Sequence, residues 1–97
     1  MRYSILNAEN SLPSTEELVE LYDAVGWSVY TRTPERLAPM LDGSRYLYVA
    51  RENTAEGAER LIGLVRAVGD GQTIAYVQDL LVHPQAQRHG IGSALLG

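Results

Sequence analysis

The run QDLLVHPQAQRHGIGSALL, Gln78 to Leu96, decides the fold. It closes an apolar stretch that begins at Gln72 (QTIAYVQDLLV), which predicts a strand buried on both faces. Pro84 ends that strand, and Gly90 to Leu96 begins a helix. A helix start offers unpaired backbone amides and the positive end of the helix dipole, and glycine lets a phosphate approach the backbone closely. Each exposed contact of this kind is worth only about 0.3 to 1 kcal/mol, so several amides must converge on one diphosphate. The turn between strand and helix is therefore predicted to bind an anion.

Two common phosphate motifs fail here. A P-loop needs GxxxxGK followed by Ser or Thr, and the chain has no lysine. A dinucleotide fingerprint needs GxGxxG or GxGxxA, whereas Gly90-Ile91-Gly92-Ser93-Ala94 is followed by Leu95. What remains is Gln-x-x-Gly-x-Gly, directly after a strand that leaves through Val82-His83-Pro84.

That arrangement resembles motif A of the GNAT acetyltransferases. Gln87, Gly90 and Gly92 match its pattern, and Asp79 to Pro84 match the strand before it. The resemblance implies an α/β (α+β type) GNAT-like fold, here as one incomplete domain over residues 1–97. It also implies acetyl-CoA as co-substrate. Amides from Arg88 through His89, Gly90, Ile91 and Gly92 to Ser93 are expected to hold its pyrophosphate beside Gln87, with the Arg88 side chain adding charge. Leu80, Leu81 and Val82 are expected to line the pantetheine arm, with backbone groups of Leu80 and Val82 pairing with it, and an amide near Leu80 to polarise the thioester carbonyl. The acceptor amine must lose a proton as it attacks. Asp79, or a water held by Gln78 and Asp79, is the candidate acceptor, and a structural hydrogen-bond role for Asp79 stands beside it.

Bland readings accompany the other residues. Gly90 and Gly92 also suit a closely packed turn, His83 is expected at the surface rather than as a base, and Trp27 and Tyr30 either shape an acceptor pocket or pack in the core.

Upstream, Arg2 to Asn7 reads as a strand, and Ser14-Thr15-Glu16-Glu17 has capping-box spacing. Leu18, Leu21, Tyr22 and Val25 then share one helical face, ended by Gly26. Thr33-Pro34 predicts a second helix capped by the threonine hydroxyl, with Pro39 keeping it short or bent and Gly43 ending it. Arg45 to Glu52 and Arg60 to Val68 read as strands, and Gly69-Asp70-Gly71 as a tight turn. Gly63 predicts a bulge or a close approach. The order is β-α-α-β-β-β-α.

Ninety-seven residues, 45% of them apolar, suit one small core. A net charge of −4 with dispersed arginines argues against a nucleic-acid partner. The absence of a long apolar run, of a signal-like N-terminus and of cysteine predicts no membrane partner, no metal site and a cytoplasmic location. The acceptor is expected to be a small-molecule or peptide amine. Relatives continue past this helix into further strands and a tyrosine acid, so two expectations follow: a homo-oligomer, such as a dimer, covering exposed apolar surface, and weak catalysis. A truncated, non-catalytic CoA-binding or interaction module is the alternative function.

Overall fold

The computed structural model describes residues 2–9, 12–27, 31–42, 46–54, 57, 59–69 and 75–96, with backbone alone at 69, 75, 76 and 78. Strand β1 (Tyr3–Asn7) leads to helix α1 (Thr15–Ala24). The capping box forms as read: the Ser14 hydroxyl accepts from the Glu17 amide, and the Glu17 carboxylate accepts from the Ser14 amide at 3.0 Å. Gly26 ends the helix at φ +85°, a conformation that suits glycine. Leu18, Leu21 and Tyr22 are buried on one face of α1, as the spacing predicts.

A 3-10 turn (Pro34–Arg36) runs into helix α2 (Leu37–Asp42). The Thr33 hydroxyl makes no capping bond, contrary to expectation. Pro39 lies in the first turn of α2, where amides lack intrahelical partners in any case, so the proline breaks nothing.

Strands β2 (Tyr46–Asn53), β3 (Glu59–Gly69) and β4 (Ala75–Val82) follow, then a 3-10 turn (Pro84–Ala86) and helix α3 (Ile91–Leu96). Residues 43–45 and 70–74, which hold Gly43, the predicted Asp70-Gly71 turn and the start of the predicted last strand, lie outside the described residues.

The four strands form one antiparallel sheet in the order β1-β2-β3-β4. Leu18, Leu21, Tyr22, Leu37 and Leu41 pack on one face against Leu47, Val49, Leu64 and Leu81. Ile91 and Leu95 of α3 pack on the other against Ala50, Ile62 and Val65. Two irregularities break the ladder. Ile62 is skipped between Ala50↔Gly63 and Arg51↔Leu61, and Gln78 is skipped between Arg66↔Asp79 and Ala67↔Val77.

The close approach predicted at Gly63 is to α3: a Cβ there would lie 3.2 Å from both Ile91 and Leu95 and 3.3 Å from Ala50. Gly63→Val is therefore expected to destabilise the chain by about 1 to 3 kcal/mol through overpacking. A urea midpoint equal to that of the parent would contradict this packing.

Glu17 also ties α1 to β2 through an ion pair with Arg51. The bond from Arg51 is the main reason its carboxyl is held below its ordinary value, with the Ser14 bonds adding to it. A depressed folded value favours the ionised form, so this stabilisation is full above the unfolded value and is lost as pH falls through the folded one. Glu17→Gln is expected to flatten the loss of stability across that acidic window while lowering stability at neutral pH. Parallel acid profiles of parent and variant would refute the linkage.

The strand expected to be buried on both faces is not. Asp79 and Leu81 are each 1% exposed, but Val77 is 54% and Leu80 37% exposed.

Candidate functional site

The site begins at the outer edge of β4, which is the last strand of the described sheet. The His83 amide donates to the Ile62 carbonyl at 2.8 Å, so it points toward β3. Backbone groups alternate along a strand. Leu81 therefore also turns its amide toward β3, while Leu80 and Val82 turn theirs to the open edge. The Val82 carbonyl confirms that parity, because it accepts from Gln87 Nε2 at 3.3 Å, outside the sheet. Leu80 and Val82 thus stand where a further strand-like partner would pair. Leu81 does not: its backbone faces β3 and its side chain is in the core, which corrects its inclusion among the cofactor contacts.

Beyond β4 the backbone turns sharply twice. Gln87 is extended, Arg88 has φ +70° and Gly90 has φ +75°. The first bond of α3 runs from the Ala94 amide to the Gly90 carbonyl at 3.0 Å, so the amides of Ile91, Gly92 and Ser93 precede any intrahelical acceptor. A Cβ at Gly90 would meet nothing within 4 Å, and one at Gly92 only Val82 at an ordinary 3.9 Å. Packing does not require these glycines. Gly90 answers to its left-handed φ and to the open space before the amides. Ile91 is buried and anchors the turn, while Arg88, His89, Gly90 and Ser93 are exposed.

Arg88 is the one non-glycine residue with positive φ among those described, a conformation that costs about 1 kcal/mol or more. It joins none of the ion pairs among the described residues. Among the described residues it is thus an exposed cation without an ion-pair partner, in the turn that leads to those amides.

His83 departs from expectation. It is only 8% exposed, and its Nδ1 accepts from the Gln85 amide at 3.1 Å, capping the 3-10 turn. Its Nε2 lies 3.1 Å from Arg60, whose guanidinium also reaches Glu20 and Gln85. The ring braces the strand exit. The His-Pro step at that exit was the available signal for a cap.

Asp79 departs further. Its Oδ2 accepts from Tyr22 Oη at 2.9 Å and from Arg66 Nε at 2.9 Å, and its side chain has no exposed surface. A carboxylate with no exposed surface, held between α1 and β3, has no direct access to a substrate amine. Of the two readings made from sequence, the geometry matches the structural acceptor. Sequence reasoning gave no role to Arg66 or Tyr22 here. Trp27 packs on Tyr22, with ring centroids 6.0 Å apart, and Tyr30 lies outside the described residues. No described helix is long and apolar enough to cross a membrane, and no group of three potential metal ligands occurs among the described residues.

Comparison with known proteins matches this layout. The model of the acetyltransferase (GNAT) family matches residues 5–97. The histone acetyltransferase TAP1 of Glycine max is 36% identical over 86 residues, which cover 82% of this chain and 36% of that protein. An uncharacterized N-acetyltransferase, ycf52-like, of Prochlorococcus marinus is 36% identical over 80 residues, covering 82% of this chain and 43% of its own length. Among solved structures, a GNAT-family acetyltransferase of Streptococcus pneumoniae is 39% identical with a TM-score of 0.74, over 98% of this chain and 63% of that one. A probable acetyltransferase of Staphylococcus aureus shares the fold at a TM-score of 0.76 and 23% identity, over 98% of this chain and 64% of that one. The chain thus spans less than half the length of these curated relatives and just under two thirds of these solved ones. Matched from β1 through the turn that opens α3, it belongs to the GNAT family of acetyltransferases.

Proposed function

We propose that this chain binds acetyl-CoA along β4 and the Gln87–Ser93 turn and supports transfer of the acetyl group to a primary amine. The observation that carries this reading is the turn itself: two left-handed residues, three amides ahead of the first helical bond, and nothing above Gly90. A diphosphate fits such a place because each amide is a donor with no competing acceptor. Arg88 stands ready to neutralise part of its charge. Extending from there, a pantetheine arm carries amides of its own that match the outward-facing backbone groups of Leu80 and the amide of Val82, as an added strand would, the Val82 carbonyl being held by Gln87 Nε2. The exposed Leu80 and Val77 side chains flank that edge with apolar surface.

In the reaction the amine nitrogen adds to the thioester carbonyl, the C–S bond breaks to release the thiolate, and the proton lost by the amine to solvent is balanced by the one that the thiolate takes up from it. Outward-facing amides of β4 supply the donor that the developing oxyanion needs. Asp79 takes no direct part in that proton transfer. A small-molecule or peptide amine is the acceptor, and the cytoplasm, which holds acetyl-CoA, is the compartment.

The same edge favours self-association. Val77 and Leu80 are exposed along β4, whose outer edge is unpaired among the described residues, and a second copy would cover them. Because that copy and the pantetheine arm compete for one edge, acetyl-CoA is expected to dissociate the dimer. Light scattering that shows a monomer at every concentration without ligand would end this part of the reading.

Transfer itself is tested by following free thiol released from acetyl-CoA with and without small and peptide amines. Release that requires an amine, with one acetylated amine formed per thiol, is expected. Thiol release indifferent to every amine would contradict transfer.

A further inference from the structure

The buried cluster of Arg66, Asp79 and Tyr22 stands beside the point where β4 holds its extra residue. Arg66 and Asp79 are the last directly facing pair before Gln78 is skipped and the ladder resumes at Ala67↔Val77. Their side chains are 9% and 0% exposed, and their ion pair is 2.9 Å long. Tyr22 ties the same carboxylate oxygen to α1. The other oxygen, Asp79 Oδ1, is buried with no hydrogen-bond partner.

The alternative to the bulge is a continuous ladder. Continuing the pairing from Ala67↔Val77 without a skip would set Gln78 opposite Arg66 and Asp79 opposite Val65. Val65 lies in the apolar cluster under Ile91 and Leu95. A one-residue slip moves every following side chain to the other face of the sheet. The carboxylate would then be buried among aliphatic groups, and Arg66 would lose its partner while still buried. Leu80 would enter the α1 face and Leu81 would leave it. Charge therefore discriminates between the two registers far more sharply than the apolar residues around it, which are leucine in either case. Buried ion pairs are best attested as devices of this kind, setting register rather than adding stability.

We propose that Arg66, Asp79 and Tyr22 form a register lock that compels the bulge at Gln78, and that they are positioning residues for the acyl site. The lock fixes which β4 amides face the open edge. It decides that Leu80 and Val82, rather than Leu81, present their backbone to the ligand. The role at the acyl site rests on the acetyl-CoA reading above, whereas the lock itself does not.

The two parts are separated by two measurements on the full chain. In the double variant Arg66→Met/Asp79→Leu, which keeps the cluster filled with apolar side chains, cross-strand proton contacts in NMR spectra are expected to move from 66/79 to 66/78 and 65/79. Retention of the 66/79 contact in a folded double variant would overturn the lock. Should that variant not fold, Tyr22→Phe removes one bond to Asp79 with little change of volume. Exchange of the Asp79 and Leu81 amides is then expected to quicken at least tenfold more than that of the Val49 amide in β2. Equal quickening throughout would mark global destabilisation alone and also overturn the lock. Acetyl-CoA and CoA are titrated into the same variants. Where the register moves, the preference for acetyl-CoA over CoA is expected to fall about five- to tenfold, the size of one lost hydrogen bond. A moved register with an unchanged preference would leave the lock standing and remove its role at the acyl site. Absence of acetyl-CoA binding in the parent would instead count against the acetyl-CoA reading and, with it, that role.

Discussion

Gly90→Glu is expected to abolish measurable acetyl-CoA binding while leaving the chain folded. The substitution adds a carboxylate to the turn that leads into the amides of Ile91, Gly92 and Ser93, in space where, its chain neighbours apart, no protein atom lies within 4 Å of the new Cβ. Like charges brought together at a binding site cost several kcal/mol, so the loss is roughly a hundredfold or more. Backbone strain contributes separately, since Gly90 has φ +75° and a side chain there costs about 1 to 2 kcal/mol of stability. Gly90→Asn separates the two effects, because asparagine tolerates the left-handed conformation and carries no charge. Its affinity is expected to fall only a few fold. Equal losses in both variants would mean that the turn's shape, rather than its approach to an anion, governs binding. Full binding by Gly90→Glu would place the ligand elsewhere.

Asp79→Ala is expected to destabilise the chain by about 3 to 5 kcal/mol, because it leaves Arg66 as a buried cation without its partner. Tyr22 Oη loses the same acceptor. Domains of this size are stable by only about 5 to 15 kcal/mol, so a large share of the total is at risk. At about 4 to 8 °C per kcal/mol, the melting midpoint should fall on the order of 20 °C. Adding Arg66→Met to the variant removes the stranded charge and is expected to restore a good part of that loss. A single variant that melts within a few degrees of the parent would show that the carboxylate is not sealed as described.

Features written in short stretches of sequence were legible. Ser14 and Glu17 are three residues apart, so their capping box can be read from the residues alone. Gly90 could be singled out because a helix start and the close approach of a phosphate are local demands, whereas its left-handed φ was not read. Features assembled from distant elements were not. Tyr22 and Asp79 are 57 residues apart, and nothing near either names the other or Arg66. The bulge at Gln78 was not legible either, since nothing in the apolar run marks the extra residue that reverses its alternation. The reading of β4 as buried on both faces failed for a related reason. Apolar side chains there cover a core on one side, and on the other they flank an edge that is open among the described residues. His83 was expected at the surface because its distant partner, Arg60, comes from β3 and is itself tied to Glu20 of α1.

The most direct test of the central claim is a calorimetric titration of this chain with acetyl-CoA. Saturable binding of one molecule per chain, weakened by salt and by Arg88→Ala, is the result expected of a turn that holds a diphosphate beside a free cation. No saturable heat at any concentration, with the protein shown to be folded, would contradict the account.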